Sequence, residues 1–189
     1  LLHKFPFHVP HVFQNIPQVL PGDSIKVKAV LRDQTGVPIK TLVFLTVKND
    51  RNKIIEQIEM PTDEYLEFPL EYNTPPTNWK VVAVSNKITS ESRFEILEKE
   101  SANVEIINKT VTVTNTGNVP YNETVLIKVG NQSLNIDAYL KIDQSQKWFL
   151  TAPDGSYEIS IVAGSDTTRA SVALTGNVID IKKAAVNFG

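Results

Sequence analysis

The histidines, the side chains with the widest chemical repertoire in this sequence, all stand at its start. His3, His8 and His11 are the only three in 189 residues, and imidazole nitrogens can share a metal ion. No carboxylate stands among residues 1–13, and Pro6 and Pro10 restrict the backbone around the histidines. The pattern therefore favours surface or packing histidines over a metal site.

Other routes to catalysis find little support in the sequence. The chain has no cysteine, hence no thiol nucleophile and no thiolate metal site. A serine–histidine–acid triad would need a base from the leading segment, and no glycine-rich phosphate loop is present. Acidic residues near turns do not alternate as in a calcium loop, which leaves at most a single calcium site open. We expect a protein that is not an enzyme and needs no cofactor.

Charge and hydropathy exclude several kinds of partner. The net charge is −2, which argues against nucleic acid or an anionic membrane as a partner. No apolar run reaches the ~18–20 residues of a membrane-spanning helix. The chain starts with Leu1 and has no charged-then-apolar leader. We interpret it as a processed, exported protein or a trimmed piece of one.

Apolar residues alternate with polar ones along most of the chain, which indicates half-buried β-strands. Ile25, Val27, Ala29 and Leu31 predict a strand over 24–32. Turn sequences recur every ~8–12 residues, as in β-sandwiches. Near the end of the chain, residues 178–181 alternate again and favour a closing strand. We predict an all-β protein.

Charged residues collect between two strand-rich halves, at Leu97-Glu98-Lys99-Glu100-Ser101. We therefore predict an N-terminal extension over 1–13, a first sandwich over 14–98 and a second over 102–189. Trp79 and Trp148 stand at strand positions that favour the core.

Each half resembles a known class of surface domain. Leu20-Pro21-Gly22-Asp23-Ser24 and Asn78-Trp79-Lys80-Val81 carry a resemblance to macroglobulin-type and bacterial Ig-like domains. Asn115-Thr116-Gly117-Asn118 and Ala152-Pro153-Asp154-Gly155 carry one to the CARDB-like modules of archaeal surface proteins. The resemblance implies two consecutive Ig-like sandwiches, an extracellular or cell-surface location and no shared catalytic residues.

The leading segment combines large apolar side chains with prolines. Phe5, Phe7 and Val9 alternate with Pro6, His8 and Pro10, so one face is apolar. The missing proline donors suit a strand that pairs mainly along one edge. The segment is interpreted either as an edge strand of its own sandwich or as a strand donated to another copy. The predicted contact residues of the donated strand are Phe5, Phe7, Val9, Val12 and Phe13.

Three sequons for N-linked glycans lie in the second half, next to predicted turns. Their acceptors are Asn108, Asn122 and Asn131. Exposure at turns would suit glycan attachment.

These features favour a subunit of a surface filament or layer, similar to pilus-like archaeal threads, joined head-to-tail by donor strands. Its partners would be other copies of itself and N-linked glycans. Two alternatives stay open: an adhesive or ligand-binding module, and the accessory β-domains of a larger exported, membrane-anchored protein. Electron microscopy separates filament, layer and monomer.

Overall fold

The computed structural model describes residues 17–86, 88–164 and 166–184. All regular secondary structure in these ranges consists of β-strands. This confirms the predicted all-β fold of Ig-like sandwiches. The chain divides between Glu98 and Lys99 into two compact units, here called unit 1 and unit 2. No helix in the described ranges is long and apolar enough to cross a membrane.

Unit 1 contains seven strands among the described residues. A five-stranded sheet has the order β1-β7-β6-β3-β4, and the second sheet contains only β2 and β5. β1 runs parallel to β7, and the other pairs are antiparallel. The strands are β1 Gln18–Val19, β2 Ser24–Lys28, β3 Leu42–Lys48, β4 Ile54–Pro61, β5 Tyr65–Pro69, β6 Asn78–Ser85 and β7 Ile88–Ile96.

The core of unit 1 follows the alternation along its strands. Val43, Leu45 and Val47 of β3 are buried, while Leu42 and Phe44 on the other face are exposed and Thr46 on that face is buried. Because successive side chains of a strand point to opposite faces, one face of β3 forms core and the other meets solvent. The packed residues are Ile25, Val43, Leu45, Val47, Met60, Leu70, Trp79, Val81, Phe94 and Ile96.

The strand predicted over 24–32 ends earlier, at Lys28. The carbonyl of Ala29 accepts a hydrogen bond from the amide of Asp63 at 2.8 Å, and that of Leu31 accepts one from Ile39. These bonds connect the chain to a turn and a loop instead of continuing the ladder with β5. Alternation persists beyond Lys28, but alternation alone does not supply a strand partner.

Over its described residues, unit 2 contains eight strands in two four-stranded sheets, β11-β10-β13-β14 and β15-β12-β9-β8. The alternation near the end of the chain does form a closing strand, β15, which pairs with β12. The strands are β8 Ala102–Ile107, β9 Thr110–Asn115, β10 Tyr121–Val129, β11 Gln132–Leu140, β12 Ser145–Thr151, β13 Gly155–Ala163, β14 Asp166–Leu174 and β15 Asp180–Lys183.

Buried polar groups tie the loop after β9 to the first residues of unit 2. The fully buried Asn115 donates through Nδ2 to the carbonyls of Val119 and Leu140, at 2.9 and 3.2 Å, and accepts from the amide of Gly117. Asn118 accepts through Oδ1 from the amide of Lys99 at 2.7 Å. Because the side chains satisfy loop main-chain groups, the loop closes without a regular strand.

Candidate functional site

A groove opens in unit 1 between the start of β4 and the end of β5. Among the strands that the structure describes, only β2 and β5 face the five-stranded sheet, so these strands leave part of its inner face uncovered. The groove is lined by Ile55, Glu56, Leu66, Glu67, Phe68, Pro69, Leu70, Glu71, Thr74 and Trp79.

β4 carries the clearest sign of this missing cover. Ile58 pairs directly with Leu45, so the two side chains lie on the same, inner face of the sheet. Leu45 is 2% exposed, whereas Ile58 is 38% exposed. Glu56 likewise lies opposite the fully buried Val47 and is itself exposed. The inner face is therefore open to solvent at Glu56 and Ile58, whereas Met60 near the end of β4 is buried.

Aromatic side chains form the closed side of the groove. The ring of Trp79 on β6 lies 6.5 Å from that of Phe68 on β5 and 6.2 Å from that of Phe94 on β7, measured between centroids. The indole Nε1 donates to Thr77 Oγ1 at 3.1 Å. Trp79 is buried, as its strand position predicted. The contacts hold the two sheets together beside the open part.

β5 has one unoccupied edge within the described part of the chain, since its ladder is with β2 alone. The amide of Leu70 donates to the carbonyl of Asp23 at 2.9 Å. Main-chain groups alternate in direction along an antiparallel pair, so those of Leu66, Phe68 and Leu70 face β2. The main-chain groups of Tyr65, Glu67 and Pro69 therefore face the free edge.

β4 has a free edge as well, because among the described strands it pairs with β3 only. The amide of Thr62 donates to the carbonyl of Thr41 at 2.8 Å, which by the same alternation turns the main-chain groups of Gln57 and Glu59 outward. Pro61 and Pro69 lack a donor at the ends of the two free edges. Each edge is thus short, with few available amide donors.

An ion pair supports the turn that joins β4 to β5. Lys28 Nζ lies 2.9 Å from Asp63 Oδ1 and 5.0 Å from the ring centre of Tyr65. The hydrogen bond between the two side chains raises the pKa of Lys28 and lowers the pKa of Asp63. Asp63 has a φ of 69°, in the left-handed region that Asp tolerates better than most residues. The ion pair thus connects β2 to the turn between the two strands that border the groove.

The groove is acidic as well as apolar. Glu56, Glu67 and Glu71 belong to its lining, and none of the lining residues is Lys or Arg. Lys26 of β2 places its Nζ 3.4 Å from Glu67 Oε2. Both side chains are more than half exposed, so water screens the pair. The groove therefore suits an apolar segment with positive charges.

The predicted contact residues of the donated strand lie outside the described residues, as do the three histidines. They are Phe5, Phe7, Val9, Val12 and Phe13. Their role as a subunit contact stays a prediction. In the described ranges, no cluster of three His, Asp or Glu is arranged to hold a metal ion.

The three predicted glycan acceptors lie apart along unit 2, and all are exposed. Asn108 lies in the two-residue turn between β8 and β9, and Asn131 in the one between β10 and β11. Asn122 belongs to β10 and pairs with Tyr139. The three side chains are accessible to solvent, and attachment of glycans to them stays a prediction.

Sequence reasoning missed the groove, although a signal for it exists. Ile54, Ile55 and Ile58 place branched apolar side chains on a strand that also carries Glu56 and Glu59. Only three residues, 62–64, separate β4 from β5, too few for another strand. The apolar residues of β4 need cover on both faces, and the connection to β5 is too short to supply another strand. Together these two features indicate that the edge of β4 is uncovered.

No protein family matches the sequence, and no curated protein matches it either. Solved structures similar to it include trypsin-activated α2-macroglobulin of Escherichia coli, at 13% identity and a TM-score of 0.40, over 91% of this chain and 15% of that one. A biofilm-associated protein BSP domain has 13% identity and a TM-score of 0.33, over 85% and 29%. The amphioxus IgVJ-C2 molecule has 12% identity and a TM-score of 0.33, over 84% and 99%. The chain thus spans about a seventh of the macroglobulin's length.

Proposed function

We propose that this chain is a non-catalytic structural protein of the cell surface whose copies join head-to-tail. The N-terminal strand of one copy would insert into the next, and repetition of this contact would build a filament or layer. A contact of this kind does not close on itself, so it continues from copy to copy. The observation that carries the proposal is the incomplete sandwich formed by residues 17–86 and 88–98, in which five strands face two.

The leading segment has the composition that such a gap requires. Phe5, Phe7 and Val9 provide one apolar face, which Phe13 extends, while Val12 adds an apolar side chain to the opposite face. An inserted strand gains main-chain hydrogen bonds from an open sheet edge and burial of alternate side chains in the exposed core. Three aromatic or branched side chains are each worth ~1.5–3 kcal/mol when fully buried, which is enough to offset part of the cost of association.

The test is the assembly state of the full chain compared with a chain lacking residues 1–13. We expect the full chain to form filaments or layers that are visible by negative-stain electron microscopy. Light scattering should give a molar mass many times that of one chain. The truncated chain should remain monomeric. A matched control replaces Phe5 and Phe7 by Ser in the full-length chain, which preserves length and the prolines. Polymerisation of the truncated chain, or a monomeric full chain at high concentration, would contradict the proposal.

The adhesive alternative has weaker support from the described residues. Trp79 and Trp148, the side chains most suited to stacking on a ligand, are 8% and 5% exposed and belong to the two cores. Exposed Tyr65 and Tyr139 remain available to a partner. A glycan array with the full chain tests this second function, and binding to a defined glycan class would support it.

A further inference from the structure

The acceptor of the donated strand can be assigned to one edge. We infer that residues 1–13 of a second copy pair along the free edge of β5 and become the third strand of its sheet. This inference rests on the proposed head-to-tail assembly and names its acceptor. Four properties of unit 1 and the leading segment support it.

The first is the position of the uncovered core. A strand added beside β5 would lie across from β3 and β4 and would cover the inner face where Ile58 is exposed. A strand added beside β4 would only widen the five-stranded sheet and leave Ile58 and Glu56 uncovered. Burial of apolar surface therefore favours the β5 edge.

The second is the match between available main-chain groups. Residues 5, 7 and 9 have amide donors that share one lateral side of an extended strand, whereas Pro6 and Pro10 remove donors from the opposite side. β5 presents the amide and carbonyl of Glu67 and of Tyr65 on its free edge. The donor-bearing side of the segment can therefore face β5, and the side with prolines becomes the new, blunt edge of the sheet.

The third is charge complementarity. Residues 1–13 carry Lys4 and three histidines and no acid. The groove contributes Glu56, Glu67 and Glu71 and no Lys or Arg. Opposite charges favour the encounter and select the orientation of the segment. The same acidic groove disfavours acidic segments of other proteins.

The fourth is reach, which selects a second copy over the same chain. The amide of Glu95 on β7 donates to the carbonyl of Pro17, so the chain enters unit 1 at the β1 edge. β1 and β4 are the opposite edges of the sheet, four spacings of about 4.8 Å apart, or ~19 Å. The four steps from Phe13 to Pro17 span at most ~14 Å. Phe13 of the same chain therefore cannot reach the far side of its own unit, so a strand that places Phe13 in the groove must come from a second copy.

The decisive experiment uses Glu67→Pro in the full-length chain. This variant removes the amide that faces the free edge and leaves the bonds of Leu66 and Phe68 to β2. We expect at least about tenfold weaker assembly, because the incoming strand loses a hydrogen bond and meets the proline ring. Glu59→Pro is the matched control, since it removes the outward amide of β4, and it should assemble as the unchanged chain does. Circular dichroism verifies the fold of both variants.

A mixing experiment tests that the segment comes from a second copy. Glu67→Pro keeps its leading segment but lacks an acceptor, and the Phe5→Ser/Phe7→Ser chain keeps its groove but lacks a donor. At a concentration below that at which Glu67→Pro assembles, each variant alone should be monomeric. An equimolar mixture should form a 1:1 dimer by analytical ultracentrifugation, because that dimer has neither a free donor segment nor a free acceptor groove. A mixture that remains monomeric would overturn the inference of exchange between copies.

Cross-linking keeps the test decisive if Glu67→Pro does not fold. The chain has no cysteine, so single cysteines react without background. A Phe7→Cys chain mixed with an Ile55→Cys chain should give a cross-linked heterodimer with a short bis-maleimide, whereas Asn135→Cys in unit 2 should give none. If the unchanged chain polymerises but Glu59→Pro disrupts assembly and Glu67→Pro does not, the acceptor assignment is wrong and the proposed assembly stands. If the unchanged chain is monomeric, the proposed assembly itself fails.

Discussion

The indole of Trp79 and the phenyl ring of Phe68 meet across the two sheets of unit 1, with centroids 6.5 Å apart. Trp79 belongs to β6 in the five-stranded sheet and Phe68 to β5 in the two-stranded one. Their contact is therefore a direct connection between the sheets. It also borders the groove, so the same pair stabilises the sandwich and shapes the candidate acceptor.

Phe68→Ala should destabilise unit 1 by about 2–3 kcal/mol, below the ~3–5 kcal/mol typical of a fully buried phenylalanine because Phe68 is only half-buried. The fluorescence of Trp79 during urea unfolding reports this loss when Trp148 is replaced by Phe. Tyr65→Ala on the same strand is the control. Tyr65 is 66% exposed, so we expect less than about 1 kcal/mol. Equal losses in the two variants would contradict the packing role of Phe68.

Gly117→Ala should destabilise unit 2 by at least about 3 kcal/mol, the upper end of overpacking costs. A Cβ at position 117 would lie 2.1 Å from the carbonyl oxygen of Lys99 and 2.9 Å from the amide nitrogen of Ser101. Both obstacles are backbone, so the loop itself must move. Gly164→Ala is the comparison: nothing lies within 4 Å there, and its φ of +58° costs about 1–2 kcal/mol. Thermal unfolding measures both, and a smaller loss for Gly117→Ala would contradict the close approach.

Asn115→Ala should also cost at least about 3 kcal/mol. It leaves the buried carbonyls of Val119 and Leu140 and the amide of Gly117 without their hydrogen bonds, and each unsatisfied buried group costs about 1–3 kcal/mol. Asn135→Ala, at an exposed position of β11, should change stability by less than about 0.5 kcal/mol. Denaturant unfolding followed by Trp148 fluorescence gives both values. Similar stabilities would show that the loop re-forms its bonds with other groups or water.

The loop after Arg32 should loosen in acid. The Asp33 carboxylate accepts bonds from the hydroxyl and amide of Thr35, at 2.7 and 2.8 Å, and from the amide of Val37 at 2.9 Å. The Thr35 hydroxyl is the main cause of a pKa of Asp33 below its usual range, and the Val37 amide adds to it. The contribution of Asp33 to stability is therefore present at neutral pH and is lost as pH falls through its lowered pKa.

Carboxyl NMR titration measures the pKa of Asp33 directly. Thr35→Ala should raise that pKa towards the usual value for Asp, because it removes the hydroxyl donor. A pKa of Asp33 at or above the usual value in the unchanged chain would contradict the bonded loop. So would a pKa that does not change in Thr35→Ala.

Much of the fold could be predicted from local sequence. Alternation of Val111 and Val113 with Thr110, Thr112 and Thr114 places side chains on two faces of a strand without reference to the rest of the chain. Such positions are buried as expected. The strand predicted over 24–32 was wrong beyond Lys28, because a strand continues only where a partner supplies main-chain bonds. Ala29 instead bonds with the β4–β5 turn.

The sequence by itself determined that this protein is built of strands, where its strongest apolar faces lie, and that its leading segment is apolar, basic and rich in proline. These properties depend on neighbouring residues and on the two-residue period of a strand. Tertiary structure alone decided that Ile58, on the core face opposite Leu45, remains exposed, and that among the described strands β5 pairs along one edge only. Both depend on which distant strands pair: the isoleucines of β4 indicate that its two faces are apolar, but no local pattern says whether a distant strand covers them.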